Sequence, residues 1–290
     1  MHDMTQTHFK VEITSKHKLF DLHLRETLRY RDLIFLFVKR DFISLYKQTV
    51  LGPLWALIQP LMTTLVFTVV FGNMARLTTA DTDDSIRVPA FLFYMAGSIC
   101  WTFFSSVVSS TSGTFLTNAR IMGKVYYPRL VSPVAAAFSQ LISYAIQLGL
   151  FFILWGICLA AGAEIRVTPR LLLIPLLILH LLILSLGCGI VTASVTTKYR
   201  DLMRVVSFGL QLWHYATPIA YGLKLIPGKM LGWYMLNPVT PVITAFRYAV
   251  FGSGYFDIGY YMLSLGVSIG VFFAGLILFG RIERTFTDTI

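Results

Sequence analysis

The sequence predicts an all-α integral membrane protein with six transmembrane helices. Hydrophobic residues make up 56% of the 290 residues and charged residues only 13%, which leaves too few polar side chains to cover a soluble globule of this size. Apolar runs of about 20 residues, enough to cross a bilayer core about 30 Å thick, recur along the chain. The predicted spans cover approximately residues 51–72, 90–113, 133–162, 171–196, 205–222 and 259–280.

Residues 28–50, before the first span, predict an amphipathic helix at the inner membrane interface. Its basic residues Arg31, Arg40 and Lys47 can meet phosphate groups or lipid headgroups. Residues 1–27 predict a cytoplasmic tail without the apolar core of a cleavable leader. An apolar stripe expected to face the membrane follows the helical repeat, and its members are Leu24, Leu28, Phe35, Val38, Phe42 and Leu45.

The distribution of basic residues predicts the orientation of the chain. If the N-terminus is inside, the cytoplasmic segments 1–50, 114–132, 197–204 and 281–290 contain 17 of the 24 Lys and Arg residues. The positive-inside rule therefore predicts that both termini are cytoplasmic. This orientation and the attraction of anionic membrane lipids explain the net charge of +10, so nucleic acid is not expected as a partner.

The aromatic segment 223–258, between the fifth and sixth spans, predicts two short re-entrant helices near the outer surface. Pro227, Pro238 and Pro241 interrupt it. Irregular backbone at membrane depth is tolerated only where protein or water satisfies it, so the segment is a candidate rim of a pathway. An ordinary aromatic belt at the interface is the alternative. The rim candidates are Trp233, Tyr234, Asn237, Pro238, Phe246 and Arg247.

Polar and aromatic side chains share one helix face in the first span and another in the fifth. Such a combination suits a sugar chain, because the C–H faces of a sugar pack on aromatic rings while its hydroxyl groups find hydrogen-bond partners. Buried helix contacts are the alternative explanation. The candidate pore-lining residues are Trp55, Gln59, Thr63, Phe208, Gln211 and Tyr215.

Small residues at four-residue spacing predict close helix packing in the fourth and sixth spans. The two stripes are Ser185, Gly189, Ala193 and Thr197 in the fourth span, and Gly266, Gly270 and Ala274 in the sixth.

Ionisable residues are scarce within the spans. Arg170 lies near the start of the fourth span, whereas ion-coupled carriers usually place ionisable groups at mid-membrane. His180 and His214 are the two titratable residues at membrane depth. Either can relay a proton, but a lone histidine among apolar residues is more typical of hydrogen-bonded packing.

The sequence predicts neither a catalytic centre nor a metal site. Asp81, Asp83 and Asp84 cluster in the first outer loop, and a solvated loop tip explains them best. The chain has no G-x-x-x-x-G-K-[ST] motif. If ATP drives the protein, a separate subunit must bind it.

Five motifs, in order along the chain, resemble the polysaccharide-export permeases of the ABC-2 type. The first consists of Tyr30, Arg31, Arg40, Asp41, Tyr46, Lys47, Leu51, Gly52, Trp55 and Pro60. The others are KVYYPRLVSPV at 124–134, TTKYRDL at 196–202, ATPIAY at 216–221 and NPVTPVITAFRY at 237–248. The resemblance covers nearly the whole chain, from about Leu28 to Arg284.

The resemblance implies a transport subunit that is not an enzyme and carries no cofactor. Two copies would pair with two ATPase subunits, which bind ATP and Mg, to export a lipid-linked polysaccharide across the bacterial cytoplasmic membrane. O-antigen, capsule and teichoic acid are the implied substrate classes. The loop 114–132 would carry a coupling helix. The implied ATPase contacts are Arg120, Lys124, Tyr126, Tyr127, Pro128 and Arg129.

Two other functions remain open from the residues. An ATP-independent flippase for lipid-linked oligosaccharides would depend on His180 or His214, and a membrane-embedded glycosyltransferase would depend on Asp81, Asp83 or Asp84.

Overall fold

A computed structural model describes residues 27, 29–47, 49–70 and 88–285. Nearly all of the predicted tail, the aspartate cluster of the first outer loop and residues 286–290 lie outside this part of the chain. Within the described residues, the regular structure is helical throughout, as the composition predicts.

Each helix follows one of the apolar runs or a short segment between them. The helices are α1 Arg31–Tyr46, α2 Trp55–Phe67, α3 Ala90–Ser112, α4 Thr114–Met122, α5 Val131–Ala160, α6 Ile174–Lys198, α7 Leu202–Tyr215, α8 Gly228–Leu236, α9 Val239–Phe251 and α10 Ile258–Thr285. Short 3-10 turns at Gly52–Leu54, Pro169–Leu173 and Leu223–Leu225 lie before α2, α6 and α8.

Five helical segments of the described chain are long and apolar enough to cross a membrane. They are Gly52–Val70, Ala90–Met122, Val131–Ala160, Pro169–Thr197 and Ile258–Arg281. These segments correspond to the first four predicted spans and the sixth, so the chain is a multi-pass membrane protein.

The fifth predicted span is represented by α7, which is shorter than predicted. Its 14 residues end at Tyr215 rather than at residue 222, and they rise about 21 Å, less than a bilayer core of about 30 Å. The cause is Pro218, because the residue before a proline disfavours helical backbone angles. The chain leaves the helix there and reaches α8 through irregular backbone and the 3-10 turn at Leu223–Leu225.

The core of the molecule is centred on α3. Its side chains Leu92, Tyr94 and Phe104 are 0% exposed, and it packs against α2, α5 and α6. α10 packs against α6, and α9 contacts α3, α6 and α10. α9 is buried along most of its length although it is too short to span the bilayer.

Glycines allow α6 to approach two neighbouring helices closely. A Cβ atom at Gly189 would lie 2.7 Å from Cβ of Thr111 in α3, and one at Gly187 would lie 2.8 Å from the backbone of Phe272 in α10. Any side chain at these two positions would overlap its neighbour. The predicted close packing is therefore confirmed for α6 at Gly189, and Gly187 adds a second crossing that the four-residue stripe missed.

The small-residue stripe predicted on α10 is wrong as an internal packing face. A Cβ atom at Gly266 or Gly270 would have nothing within 4 Å. α10 instead approaches α6 at Gly275, where a Cβ atom would lie 3.0 Å from the carbonyl oxygen of Gly187. The spacing identified glycines on α10 but not the face that packs.

α1 packs against the start of α5 and the segment before it. Phe37 and Val38 are buried there and contact Tyr127, Val131 and Ala135. The predicted membrane-facing stripe is therefore wrong at Val38, because this side chain packs on protein.

We predict that Gly187→Ala destabilises the protein whereas Gly270→Ala does not. The added methyl group collides with the Phe272 backbone in the first variant and enters open space in the second. Overpacking of this kind costs about 1–3 kcal/mol. Thermal unfolding in detergent measures the difference, and equal midpoints for the two variants would contradict the observed α6–α10 crossing.

Candidate transport pathway and coupling surface

α2 and α7 form a largely exposed face of the subunit. Pro60 and Thr64 are the buried residues of α2, and Leu210 is the buried residue of α7. Phe67, at the end of α2, stacks on His214 near the end of α7 with ring centroids 6.1 Å apart. The two helices therefore lie close together at their C-terminal ends.

The candidate pore-lining side chains all lie on these two helices. Trp55 is 50% exposed, Phe208 61% and Tyr215 69%. Both glutamines of the set are exposed as well. Thr63 is half-buried, and its hydroxyl group donates to the backbone carbonyl of Gln59 at 3.1 Å. Within one subunit, the rings and amides of this face remain available to a ligand or to a second subunit.

His214 lies among aromatic rings. Besides Phe67, its ring contacts Trp101 of α3 at a centroid distance of 5.4 Å and Tyr215 at 5.6 Å. These contacts give His214 a packing role where α7 meets α2 and α3.

The segment predicted to be re-entrant contains two short helices, α8 and α9. They meet at Asn237 and Pro238, and we call them the outer hairpin because the positive-inside rule predicts that they lie on the outer side. Trp233 is 77% exposed, so its indole ring lies at the surface of the subunit. Phe246 is instead buried against Phe151, with ring centroids 5.8 Å apart, so its side chain cannot form part of a rim surface.

The side-chain amide of Asn237 joins the outer hairpin to α7. Its Oδ1 accepts from Nε1 of Trp213 at 3.0 Å and from the backbone N–H of Val239 at 3.2 Å. Its Nδ2 donates to Oγ1 of Thr217 at 2.9 Å. The amide thus caps the start of α9 and holds the end of α7 at the same time.

Arg247 lies inside the protein and holds the irregular chain that follows α7. Its side chain is 3% exposed, and its guanidinium donates to the carbonyl oxygens of Pro218 at 3.0 Å and Ile219 at 2.7 Å. The guanidinium carbon lies 3.7 Å from the centroid of the Phe93 ring. Arg247 was predicted to be a rim residue, but its buried contacts satisfy backbone carbonyls that no helix pairs.

His180 links α6 to α10 deep inside the protein. It is 1% exposed, and its Nε2 lies 2.9 Å from Oγ of Ser268. The neighbouring Ser264 hydroxyl donates to the backbone carbonyl of Pro238 at 2.6 Å. These contacts agree with hydrogen-bonded packing, and they connect the outer hairpin to α10.

The predicted coupling loop contains α4, which is anchored in the core at one end. Phe115 stacks on Phe279 of α10 with ring centroids 5.3 Å apart. Arg120, Lys124 and Tyr126 are exposed. This part of the loop therefore offers two cations and an aromatic ring to a partner.

Tyr127, by contrast, faces inwards. It is 5% exposed, its hydroxyl group lies 3.1 Å from that of Ser132, and its ring contacts Phe37 of α1 at a centroid distance of 5.5 Å. Burial raises the pKa of the phenol above its ordinary value. The side chain connects α1 to the coupling loop and is not at the surface, whereas Pro128 and Arg129 are half-buried.

The three cations predicted to meet headgroups have different surroundings. Asp41 accepts two hydrogen bonds from the Arg40 guanidinium, at 2.8 and 2.6 Å, and that guanidinium also lies over the Phe37 ring. Arg31 and Lys47 are exposed. Arg31 lies 3.9 Å from Asp32, a separation at which an exposed pair contributes little. Arg31 and Lys47 are therefore the more accessible pair.

Among the side chains that the structure describes, no three His, Cys, Asp or Glu residues are close enough together to hold a metal ion. The site instead comprises an exposed aromatic and amide face on α2 and α7, a buried polar junction beside the outer hairpin, and a basic surface formed by α4 and the residues that follow it.

Comparison with known proteins identifies a family and its relatives. The model of the ABC-2 type transporter family matches residues 32–251. The O-antigen export system permease protein RfbA of Klebsiella pneumoniae is 25% identical over 266 residues, covering 89% of this chain and 95% of that protein. RfbA of Myxococcus xanthus is 26% identical over 270 residues, covering 92% and 98%. The polysialic acid transport protein KpsM of Escherichia coli is 28% identical over 240 residues, covering 81% and 87%.

We predict that Arg247→Lys destabilises the protein by about 2 kcal/mol. The planar guanidinium forms a fork that donates to the carbonyl oxygens of Pro218 and Ile219, and lysine cannot reproduce this geometry. A hydrogen bond from a charged group is worth about 1.5–3 kcal/mol. Arg281→Lys, at an exposed position of α10, is the matched control and should leave the unfolding midpoint unchanged. Equal midpoints for the two variants in a thermal melt would show that the buried fork is unimportant.

Proposed function

Because the chain belongs to the ABC-2 type transporter family, we propose that it is the membrane subunit of an ATP-driven exporter of a lipid-linked polysaccharide. The family match covers most of the chain, and relatives that align over nearly their whole length carry the names of O-antigen and polysialic acid transport proteins. O-antigen is the substrate that we favour, with capsule or teichoic acid as the other classes. The proposed location is the bacterial cytoplasmic membrane, with both termini in the cytoplasm.

The observation that carries this proposal is the exposed polar and aromatic face of α2 and α7. An amide that faces lipid has no hydrogen-bond partner, and leaving it unsatisfied costs several kcal/mol. Gln59 and Gln211 are nevertheless exposed on these helices. We propose that two copies of the subunit bring these faces together around the glycan, so that the amides bond to sugar hydroxyl groups and the rings stack on sugar C–H faces.

A separate ATPase subunit binds ATP and Mg in this proposal, with two ATPase copies for two permease copies. The exposed Arg120, Lys124 and Tyr126 form its docking surface. Closure of the ATPase dimer on ATP shifts the permease only through contacts that differ between its two states. Since Phe115 fixes α4 to α10, a shift of the docking surface also acts on the transmembrane helices.

Arg31 and Lys47 are the proposed contacts for the phosphate groups of the lipid carrier at the inner interface. Both are exposed on or beside α1, and a phosphate group attracts such cations more strongly than the sugar does. Arg40 contributes less to the binding of these phosphate groups, because Asp41 already accepts hydrogen bonds from its guanidinium.

A flippase driven by protons is the other candidate. It needs a titratable group that water can reach, whereas His180 is 1% exposed and bonded to Ser268. His214 is half-buried and packs against the rings of Phe67 and Trp101. The surroundings of both histidines favour the ATP-driven exporter.

We predict that the double variant Arg120→Glu, Lys124→Glu abolishes stimulation of ATP hydrolysis by lipid-linked glycan, because it reverses both charges of the docking surface. Hydrolysis by the complex in lipid nanodiscs measures this. Lys229→Glu reverses an exposed charge on α8, away from α4, and should have no effect. Unchanged stimulation in the double variant would show that Arg120 and Lys124 are not part of the coupling surface.

We predict that Trp55→Ala, Phe208→Ala and Tyr215→Ala each reduce glycan export by up to about tenfold. An aromatic ring contact is worth about 0.5–1.5 kcal/mol, and about 1.4 kcal/mol corresponds to a factor of ten. Phe273→Ala is the control, since this ring is similarly exposed on α10. Export can be followed as glycan that appears at the cell surface. An equal reduction in the control would indicate a general folding defect instead of a lined pathway.

A further inference from the structure

The two ends of α7 have different neighbours. The start lies beside the corner between α3 and α4, and the end contacts the outer hairpin as well as Trp101 of α3. Between them the helix exposes Val205 by 59%, Phe208 by 61% and Leu212 by 54%. Leu210 is its buried side chain, and Val206 is partly buried against the same core cluster, so one stripe of the helix contacts the core while the other side chains are exposed.

The inner anchor of α7 lies at the corner between α3 and α4. Met203, in the first turn of α7, covers Gly113 so closely that a Cβ atom there would lie 3.0 Å from the methionine Cε. Next to this contact, Oγ1 of Thr196, near the end of α6, donates to the backbone carbonyl of Ser112 at 2.7 Å. Gly113 is the residue between α3 and α4, so the start of α7 lies against the base of the proposed coupling helix.

The outer anchor is the amide junction at Asn237. This amide binds Trp213 and Thr217 at the end of α7 and the backbone N–H of Val239 at the start of α9. The adjacent carbonyl of Pro238 accepts from Ser264 of α10. The end of α7 is thus hydrogen-bonded directly to the residue at which α8 and α9 of the outer hairpin meet.

We propose that α7 is a rigid helix that transmits movement of the α3–α4 corner to the outer hairpin, and we call it the rod. Met203 and Asn237 are the positioning residues at its two ends. An α-helix of 14 residues keeps its length because its own backbone hydrogen bonds hold it. A displacement at Met203 therefore reaches Asn237 with little loss.

The rod deepens the proposed function and rests on it for its physiological role. If the partner ATPase moves α4, the corner at Gly113 moves and the rod carries the movement to the hairpin. The same helix carries the candidate pathway side chains, so the inner and outer parts of that face shift together.

Hydrogen exchange, measured by mass spectrometry on the permease in lipid nanodiscs, tests the rod without relying on transport. Met203→Ala removes the inner anchor and should speed exchange about fivefold at the corner, residues 112–116, and also in the hairpin, residues 228–240. A fivefold change corresponds to about 1 kcal/mol of lost local stability. Met262→Ala, the same substitution on an exposed part of α10, should change neither region.

Asn237→Asp tests the rod from the other end and remains informative if the first variant folds poorly. The carboxylate keeps the acceptor for Trp213 but cannot donate to Thr217. Because coupling between two sites is reciprocal, this variant should speed exchange at residues 112–116 as well as in the hairpin. The rod is overturned if each folded variant changes exchange only around its own position.

Export measurements separate the rod from the proposed function. If ATP-driven export is found but neither variant has a distant effect on exchange, the rod alone is wrong. If both variants have distant effects but no ATPase supports export, the proposed function is wrong and the mechanical connection stands. If both hold, Met203→Ala should lower the glycan exported per ATP hydrolysed about fivefold, whereas Met262→Ala should not.

Discussion

The close approach of α6 to α3 and α10 is the constraint on which the rest of the structure depends. Lipid tails are as apolar as leucine, so helices in a membrane associate through tight packing and hydrogen bonds. Gly187 and Gly189 provide that packing on α6, and the Thr196 and His180 hydrogen bonds fix the same helix to its neighbours. Because this core is compact, α1, α2 and α7 can remain at its periphery with exposed faces.

Satisfaction of backbone groups explains the polar residues Asn237 and Arg247, which lie between the end of α7 and the hairpin of α8 and α9. The proline at 218 ends α7 and leaves carbonyl groups without helical partners, and Arg247 supplies donors to two of them. At the start of α9 the role is reversed, because Oδ1 of Asn237 accepts from the backbone N–H of Val239. The motifs at 216–221 and 237–248, which are separate in the sequence, therefore form one unit in space that positions the exposed face of α7.

Composition and the lengths of the apolar runs predicted the helices well, because a bilayer permits few alternatives. The two short helices of the outer hairpin were also predictable from its prolines. The sequence did not reveal which face of each helix packs: Gly270, Val38, Phe246 and Arg247 were all assigned to the wrong surroundings, because helical spacing defines a face but not its neighbour. The Thr217-Pro218 pair was a readable signal for the early end of α7, and it was missed.

The most direct test of the account is reconstitution of this permease with a candidate ATPase partner in liposomes that contain a fluorescent lipid-linked O-antigen. A membrane-impermeant glycosidase on the far side of the bilayer then reports the glycan that has crossed. The account predicts digestion that requires ATP, the ATPase and this chain together. Digestion that proceeds without the ATPase, driven by a proton gradient alone, would contradict it.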